Sequence, residues 1–355
     1  MSREEKYMNR CLELARQGEG HTAPNPMVGS VIVCEEKIIG EGFHREFGGP
    51  HAEVHAINSV KDKSLLEKST LYVNLEPCAH YGKTPPCAEL IVSHRISRVV
   101  IGTVDPFAKV SGRGIEIMKN AGVEVTVGIL EKECMEINRR FFTFHEKKRP
   151  YVILKWAQTL DGFIDSDRTS GKPAWISNEL SRMLVHRQRT EEAAILVGTN
   201  TAVMDNPSLT VRAWSGRQPL RMAIDRQNRL PDTLTLKDGK IPTIIFTESD
   251  IESSHNLEFV RLNFNNPLPE QLLAFMYSRT IQSVIVEGGR QLLQSFIDDK
   301  LWDETFIYTG SCRFGKGIKA PAFDYQPQFS EMIDDTRLDH FYFDPTVKSI
   351  IKRRF

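Results

Sequence analysis

The chain has 355 residues, and its 46 Lys and Arg cancel its 46 Asp and Glu, leaving a formal net charge of zero at pH 7. At roughly 150 residues per domain, that length predicts two folded domains. A content of 40% hydrophobic and 26% charged residues excludes a long disordered or collagen-like tract. With no net field, nucleic acid is not an expected partner, and no apolar run approaches the roughly 18 residues of a membrane span. The opening residues, Met1 to Arg10, are dense in charge and lack the apolar stretch of a secretory leader, so the cytoplasm is the expected compartment. In that reducing setting the six cysteines are read as buried, catalytic or metal-bound rather than paired.

In chain order, Tyr7, Cys11 and Leu14 share one face of a first helix that Gly18 and Gly20 end. Strand-like runs over 27–34 and 37–43 flank Glu35 and Glu36 as a hairpin turn. A helix over 51–60, a strand over 70–76, a helix over 86–94, a strand over 98–104, a helix over 114–121 and a strand over 123–127 follow. This alternation predicts a sheet covered by helices on both faces. A helix over 131–144 runs into the charged segment 145–150, a solvated linker closed by Pro150, and the boundary is placed there, giving domains 1–145 and 146–355. The second half offers strands over 151–157, 193–198, 220–225, 242–247 and 283–287, helices over 179–189, 270–278 and 289–301, and a terminal strand pair over 338–343 and 347–351. This is a second α/β domain.

The densest chemical signal lies in the first half. His51-Ala52-Glu53 opens a predicted helix, while Cys78 follows a strand and Cys87 comes nine residues later. Catalytic zinc takes three nitrogen or sulfur ligands and leaves a fourth position for water, which His51, Cys78 and Cys87 satisfy. Glu53, two residues after the histidine, can take the water's proton and pass it to a departing amine. A structural zinc site, closed by a fourth ligand such as His80, is the competing reading.

The arrangement resembles the zinc nucleobase deaminases, whose signature is H-x-E followed by P-C-x-x-C. Here eight residues, not two, separate the cysteines. The segment Glu76-Pro-Cys-Ala-His-Tyr-Gly-Lys-Thr-Pro-Pro-Cys87, with Pro24-Asn-Pro-Met-Val-Gly29, Gly42-Phe-His44 and Gly49-Pro-His-Ala-Glu53, is similar to the deaminase domain of the bifunctional riboflavin-biosynthesis deaminase/reductases. That resemblance implies a cytidine-deaminase-like three-layer α/β/α domain. It matches His51, Cys78 and Cys87 to the zinc ligands and Glu53 to the proton shuttle. Asn25 and His44 match pocket residues near a pyrimidine, and His80 and Lys83 suit its phosphoribosyl group. One departure is Asp105-Pro-Phe-Ala108, where the family usually continues Asp-Pro-Asn-Pro before a Gly-x-Gly, here Gly112-Arg-Gly114.

The second half carries Lys155-Trp-Ala-Gln-Thr-Leu-Asp-Gly162, Ala174-Trp-Ile-Ser177, Gly198-Thr-Asn-Thr-Ala-Val-Met-Asp-Asn-Pro-Ser-Leu-Thr-Val-Arg212 and Glu287-Gly-Gly289. These resemble the reductase half of the same family, which implies a dihydrofolate-reductase-like α/β domain using NADPH. The resemblance places the cofactor against Ala157, Trp175, Thr201, Asp205 and the turn Gly289, Arg290, Gln291, Leu292, Leu293, Gln294 and Ser295. It places substrate against Pro173, Arg189, Leu209, Arg212 and Glu287. Glu287 is the expected group for managing the sugar proton, with Lys155 and Asp161 as second choices.

The function so implied is deamination of 2,5-diamino-6-(5-phosphoribosylamino)pyrimidin-4(3H)-one to 5-amino-6-(5-phosphoribosylamino)uracil, then reduction of the ribosyl to the ribityl side chain. The resemblance also implies an oligomer of identical chains. A nucleic-acid deaminase of the tRNA-adenosine type would use the same His51, Glu53 and cysteines, but it calls for a basic surface and the short cysteine spacing.

Overall fold

The computed structural model describes residues 1–81, 85–107, 110–168 and 175–344. The chain forms two compact units, Met1–Lys148 and Arg149–Phe355.

The first unit opens with helix α1 (Arg3–Arg16), whose first turn is closed by a reciprocal capping pair: Ser2 Oγ accepts from the Glu5 amide and the Glu5 carboxylate from the Ser2 amide. Strands β1 (Gly29–Cys34) and β2 (Lys37–Phe43) form the hairpin, with Glu35 and Glu36 both at positive φ in its turn. Then come α2 (Ala52–Ser59), β3 (Thr70–Leu75), α3 (Cys87–Ser93), β4 (Arg98–Thr103), α4 (Arg113–Asn120), β5 (Glu124–Val127), α5 (Glu131–Ile137) and α6 (Arg139–Lys147). The sheet runs β2-β1-β3-β4-β5, antiparallel through β1 and parallel from β3 onward. Its two faces bury separate clusters. Tyr7, Met8, Cys11 and Leu12 of α1 pack on Val31, Tyr72 and Val100, whereas Ala56, Ala88, Ile91 and Met118 of α2, α3 and α4 pack on Ile32, Val73 and Ile101. This is the three-layer α/β/α arrangement, and its central strands read as continuous apolar runs because both faces are covered.

The single helix expected over 131–144 is two helices. Asn138 between them sits at φ −107°, ψ 22°. Its buried side chain accepts from the Met27 amide (2.7 Å) and donates to the Met27 carbonyl (2.9 Å), so a tertiary contact interrupts a locally helical sequence.

The second unit contains β6 (Tyr151–Gln158), β7 (Phe163–Asp165), α7 (Glu179–Glu191), β8 (Ala194–Val197), α8 (Thr199–Asp205), β9 (Leu220–Ile224), β10 (Thr243–Thr247), β11 (Leu257–Arg261), α9 (Leu268–Ser278), β12 (Ser283–Glu287), α10 (Arg290–Asp298), β13 (Glu304–Thr309), β14 (Ile318–Lys319), β15 (Phe329–Ile333) and β16 (Thr336–Tyr342). Nine strands form one sheet in the order β11-β10-β9-β8-β12-β6-β13-β16-β15, parallel from β11 to β13 with an antiparallel edge. The short strands β7 and β14 pair apart from it. Of the expected terminal strand pair, the first strand is present as β16, which lies between β13 and β15; the second, 347–351, falls outside the described residues. Strand β13 has no counterpart among the expected strands, yet its residues are buried throughout between β6 and β16.

Candidate functional site

In the first unit, β3 and the turn after it bring Cys78 toward the starts of α2 and α3. His51 is the N-cap residue of α2, and its ring makes no capping bond, which leaves it available as a ligand. Cys87 is the first residue of α3, and its amide donates to Cys78 Sγ at 3.3 Å. A tetrahedral zinc with bonds of about 2.05 Å to nitrogen and about 2.3 Å to sulfur holds those ligands about 3.5 Å apart. His51 Nδ1 lies 3.5 Å from Cys78 Sγ and 3.3 Å from Cys87 Sγ. Among the described residues these atoms form the one group able to hold an ion, all within 4.8 Å of one another. The donor set and its dimensions fit zinc.

The two thiols move in opposite directions: hydrogen bonding with Cys78, then burial, raises the Cys87 thiol well above its ordinary value. Hydrogen bonding from Cys87, opposed by burial and helped by His51, brings the Cys78 thiol down to about 4, while the bond to Cys78 lifts His51 to about 9. Glu53, on the first turn of α2 and 3% exposed, is pushed up to about 7 by burial, against the attraction of His51. A carboxyl poised near neutrality beside a metal position can both accept and return a proton.

The expected pyrimidine-pocket residues lie together. His44 is 2% exposed, with Nδ1 3.0 Å from the Pro50 carbonyl and Nε2 3.1 Å from Asn25 Nδ2. A carbonyl only accepts, so Nδ1 carries the proton and Nε2 accepts from the Asn25 amide. Both ring nitrogens are therefore committed within the chain, and Asn25 is the member of the pair with polar capacity to spare. Gly42 is required for this layer, because a Cβ there would lie 2.4 Å from the Ala56 amide nitrogen of α2. His80 is exposed, stands edge-on to Phe107 at 6.0 Å between ring centroids, and remains outside the ligand group. Lys83 lies outside the described residues.

In the second unit the site is at the carboxyl edge of the sheet, where β12 and β6 run in parallel with Glu287 registered against Lys155. Arg189 on α7 grips the Glu287 carboxylate with two bonds, 2.8 Å and 3.3 Å, and Lys155 Nζ stands 3.8 Å away. Burial alone would raise Glu287, but Arg189 and Lys155 outweigh it and hold the carboxyl at about 2. Burial lowers Lys155, opposed by Glu287 and reinforced by Arg189.

The site opens into a cavity of about 2010 Å³ lined by Lys155, Ala157, Trp175, Arg189, Thr201, Asp205, Leu209, Arg212, Glu287 and the turn from Gly289. A single small ligand occupies roughly 300–1,000 Å³, so this space accommodates a dinucleotide beside a sugar phosphate. Gly288 and Gly289 have φ of 71° and 68°, and a Cβ on Gly288 would meet Thr201 at 2.7 Å. Both glycines hold a positive φ that residues with a side chain rarely adopt, and they open the part of α10 that lines the cavity, where unpaired helix-start amides can meet a phosphate.

Arg290, Gln291, Leu292, Gln294 and Ser295 line the cavity, but Leu293 does not: it faces the opposite side of α10 and is fully buried in the core. Trp175 stands in the mouth, 66% exposed, with Arg182 4.5 Å from its ring centroid. The Asp205 carboxylate is engaged by Arg168, which also pairs with Asp165. Asp161 turns away to the amides of Phe314 and Gly315 and the hydroxyl of Thr159. Pro173 lies outside the described residues. Sequence reasoning missed His186, which lines the cavity and accepts from the Arg212 amide through Nδ1 at 3.3 Å. Its signal was present, since His186 precedes Arg189 by three residues on α7 and shares its face.

A zinc-ligand set with an adjacent buried glutamate, and a cavity fit for a dinucleotide at the edge of a parallel sheet, define a deaminase joined to a reductase. The family description "Cytidine and deoxycytidylate deaminase zinc-binding region" matches residues 1–103, and "RibD C-terminal domain" matches residues 150–341. A riboflavin biosynthesis protein RibD of Bacillus amyloliquefaciens is 41% identical over 93% of this chain and 90% of its own. The crystal structure of a diaminohydroxyphosphoribosylaminopyrimidine deaminase/5-amino-6-(5-phosphoribosylamino)uracil reductase from Thermotoga maritima superposes with a TM-score of 0.86 at 40% identity, covering 96% of this chain and 98% of that one. RibD of Acinetobacter baumannii gives a TM-score of 0.85 at 32% identity, with 96% and 98% covered. The chain belongs to the RibD family of riboflavin biosynthesis. It is a zinc-dependent deaminase and an NADPH-dependent reductase. No described helix is long and apolar enough to cross a membrane.

Proposed function

We propose that the first unit deaminates 2,5-diamino-6-(5-phosphoribosylamino)pyrimidin-4(3H)-one and that the second reduces the ribosyl group of the resulting 5-amino-6-(5-phosphoribosylamino)uracil to ribityl. The observation that carries this reading is that one chain holds both the His51, Cys78 and Cys87 ligand set beside Glu53 and the Lys155, Arg189 and Glu287 cluster facing the large cavity.

In the deaminase unit His51, Cys78 and Cys87 hold the metal. Zinc supplies the Lewis acidity that makes water a nucleophile at neutral pH. Glu53 takes the proton from that water and delivers it to the amino group leaving the pyrimidine carbon, so the same carboxyl begins and ends each turnover ionised. Asn25 orients the ring, and His80 and Lys83 meet the phosphoribosyl group.

In the reductase unit Ala157, Trp175, Thr201, Asp205 and Gly289, Arg290, Gln291, Leu292, Gln294 and Ser295 hold the cofactor. NADPH supplies the hydride. As the ribosylamine opens, the bond from the anomeric carbon to the ring oxygen breaks, and the nitrogen lone pair forms an iminium bond to that carbon. Lys155 donates a proton to the departing ring oxygen, hydride adds to the same carbon, and Lys155 recovers its proton from solvent. A carboxyl held at about 2 has no proton to give near neutrality, so Glu287 accepts hydrogen bonds from the sugar hydroxyls and keeps Lys155 and Arg189 in place. Arg212, with Arg189, Pro173 and Leu209, binds the ribose phosphate end.

An assembly of identical chains, a cytoplasmic location and the lack of a nucleic-acid partner belong to the same reading. Sedimentation tests the first. The reaction itself is tested by following ammonia release and NADPH absorbance together in purified protein supplied with the diaminopyrimidine. Ammonia followed by equimolar NADPH oxidation is expected; neither signal from zinc-loaded protein would overturn the assignment.

A further inference from the structure

Glu76 lies two residues before Cys78 but does not face the ligand group. It is 3% exposed, and its carboxylate accepts four backbone bonds: Oε2 from the amides of Asp105 (3.2 Å) and Gly112 (2.9 Å), Oε1 from those of Gly114 (2.9 Å) and Ile115 (3.3 Å). Those donors come from the end of β4, from the turn before α4 and from the first turn of α4. A buried carboxylate with this many backbone donors is fully satisfied, and it meets the positive end of a helix. It therefore ties a segment that begins 29 residues further along the chain directly to the strand end that leads to Cys78.

The contact is tight from both sides. Gly112 is at φ 84°, and a Cβ on Gly114 would lie 2.1 Å from the Pro77 carbonyl and 3.2 Å from Glu76 Oε1. Only a bare backbone approaches this closely. Phe107, whose own amide is held by the Asp105 carboxylate at 2.8 Å, reaches from this segment to the ring of His80 in the insert between the cysteines. The chain of contacts runs from Glu76 through the amides at 105 and 112 to Phe107 and on to His80, which is outside the ligand group.

We propose that Glu76 is a positioning residue for substrate binding by the deaminase: it locks the backbone at Asp105, Gly112, Gly114 and Ile115 against the strand end that leads to Cys78 and so fixes Phe107 and His80 as a wall that receives the phosphoribosyl group. This rests on the deaminase reading above. The role is distinct from holding zinc, and it explains why a glutamate rather than an amide occupies the position. A glutamine of the same shape has one accepting oxygen, so two of the four amides would face its NH2 donor.

The test compares wild-type protein with Glu76→Gln and, as an independent push on the same contact, Gly114→Ala, in the full chain. Expected for both variants are a KM for the diaminopyrimidine at least ten times higher with kcat within threefold, one zinc retained per chain as the check that the first unit is folded, and reduction of the deaminated substrate, carried by the second unit, unchanged. Hydrogen exchange at the amides of residues 112, 114 and 115 is expected to speed up at least tenfold in Glu76→Gln. Unchanged kinetics in either variant would overturn the proposal. So would loss of zinc with a parallel fall in kcat, which would place Glu76 in support of Cys78. Absence of deamination in the wild type would refute the deaminase reading instead and is distinguished by that control.

Discussion

Replacing Glu287 with Gln removes the one negative charge between Arg189 and Lys155 while keeping the side chain's shape. The carboxyl is held at about 2 against an ordinary 4.5, and a shift of that size corresponds to about 3 kcal/mol. Breaking a buried ion pair by deleting one partner costs about 3–5 kcal/mol, so the two routes agree. Because the folded-state value is depressed, the stabilisation is present above about 4.5 and is lost as pH falls toward 2. By linkage it drops from about 3 kcal/mol at pH 7 to about 2 kcal/mol near pH 3.5. The four tryptophans, Trp156, Trp175, Trp214 and Trp302, all belong to the second unit. Urea titration followed by tryptophan fluorescence therefore reports this unit, and Glu287→Gln is expected to lower its unfolding free energy by about 3 kcal/mol at pH 7, with a gap from wild type that narrows at acid pH. Reduction should fall at least ~100-fold, because sugar hydroxyls lose an ionised acceptor and Lys155 its partner, while ammonia release stays within twofold. A loss of less than ~1 kcal/mol, a gap that widens on acidification, or reduction kept within ~10-fold would refute the reasoning.

Cys87→Ser is expected to take zinc from one per chain to well below that and to abolish ammonia release, with reduction of the deaminated substrate retained; metal analysis beside the two assays checks it. Lys155→Met should leave NADPH binding by calorimetry within threefold yet lower reductase kcat at least ~100-fold, since the ring oxygen loses its proton source. Gly288→Ala places a methyl group 2.7 Å from Thr201 at a φ of 71°, a strain of ~1–3 kcal/mol, and should weaken NADPH binding at least ~10-fold in the same titration.

What the sequence alone determined was local. Every element with a strong apolar period, from α1 through β12, is present, because burial on one face or both leaves its mark within a few residues. The zinc ligands and Glu53 were legible for a related reason: each sits at a strand end or helix start that the pattern itself marks. The tertiary structure decided what depends on distant partners. Asn138 divides a helical run because its side chain is committed to Met27, 111 residues away. β13 becomes an interior strand, and the edge strand β15 escapes notice because only Ile333 of its five residues is buried. The same holds in the sites. Leu293 turns inward where the rest of its turn faces the cavity, and His186 joins the cavity through the helix face it shares with Arg189. The role proposed for Glu287, a fixed anion and not the proton carrier the sequence suggests, rests on Arg189, 98 residues earlier, which closes on it. Periodicity records how much of a residue is buried; the charge that meets it there is set by which surfaces the fold brings together.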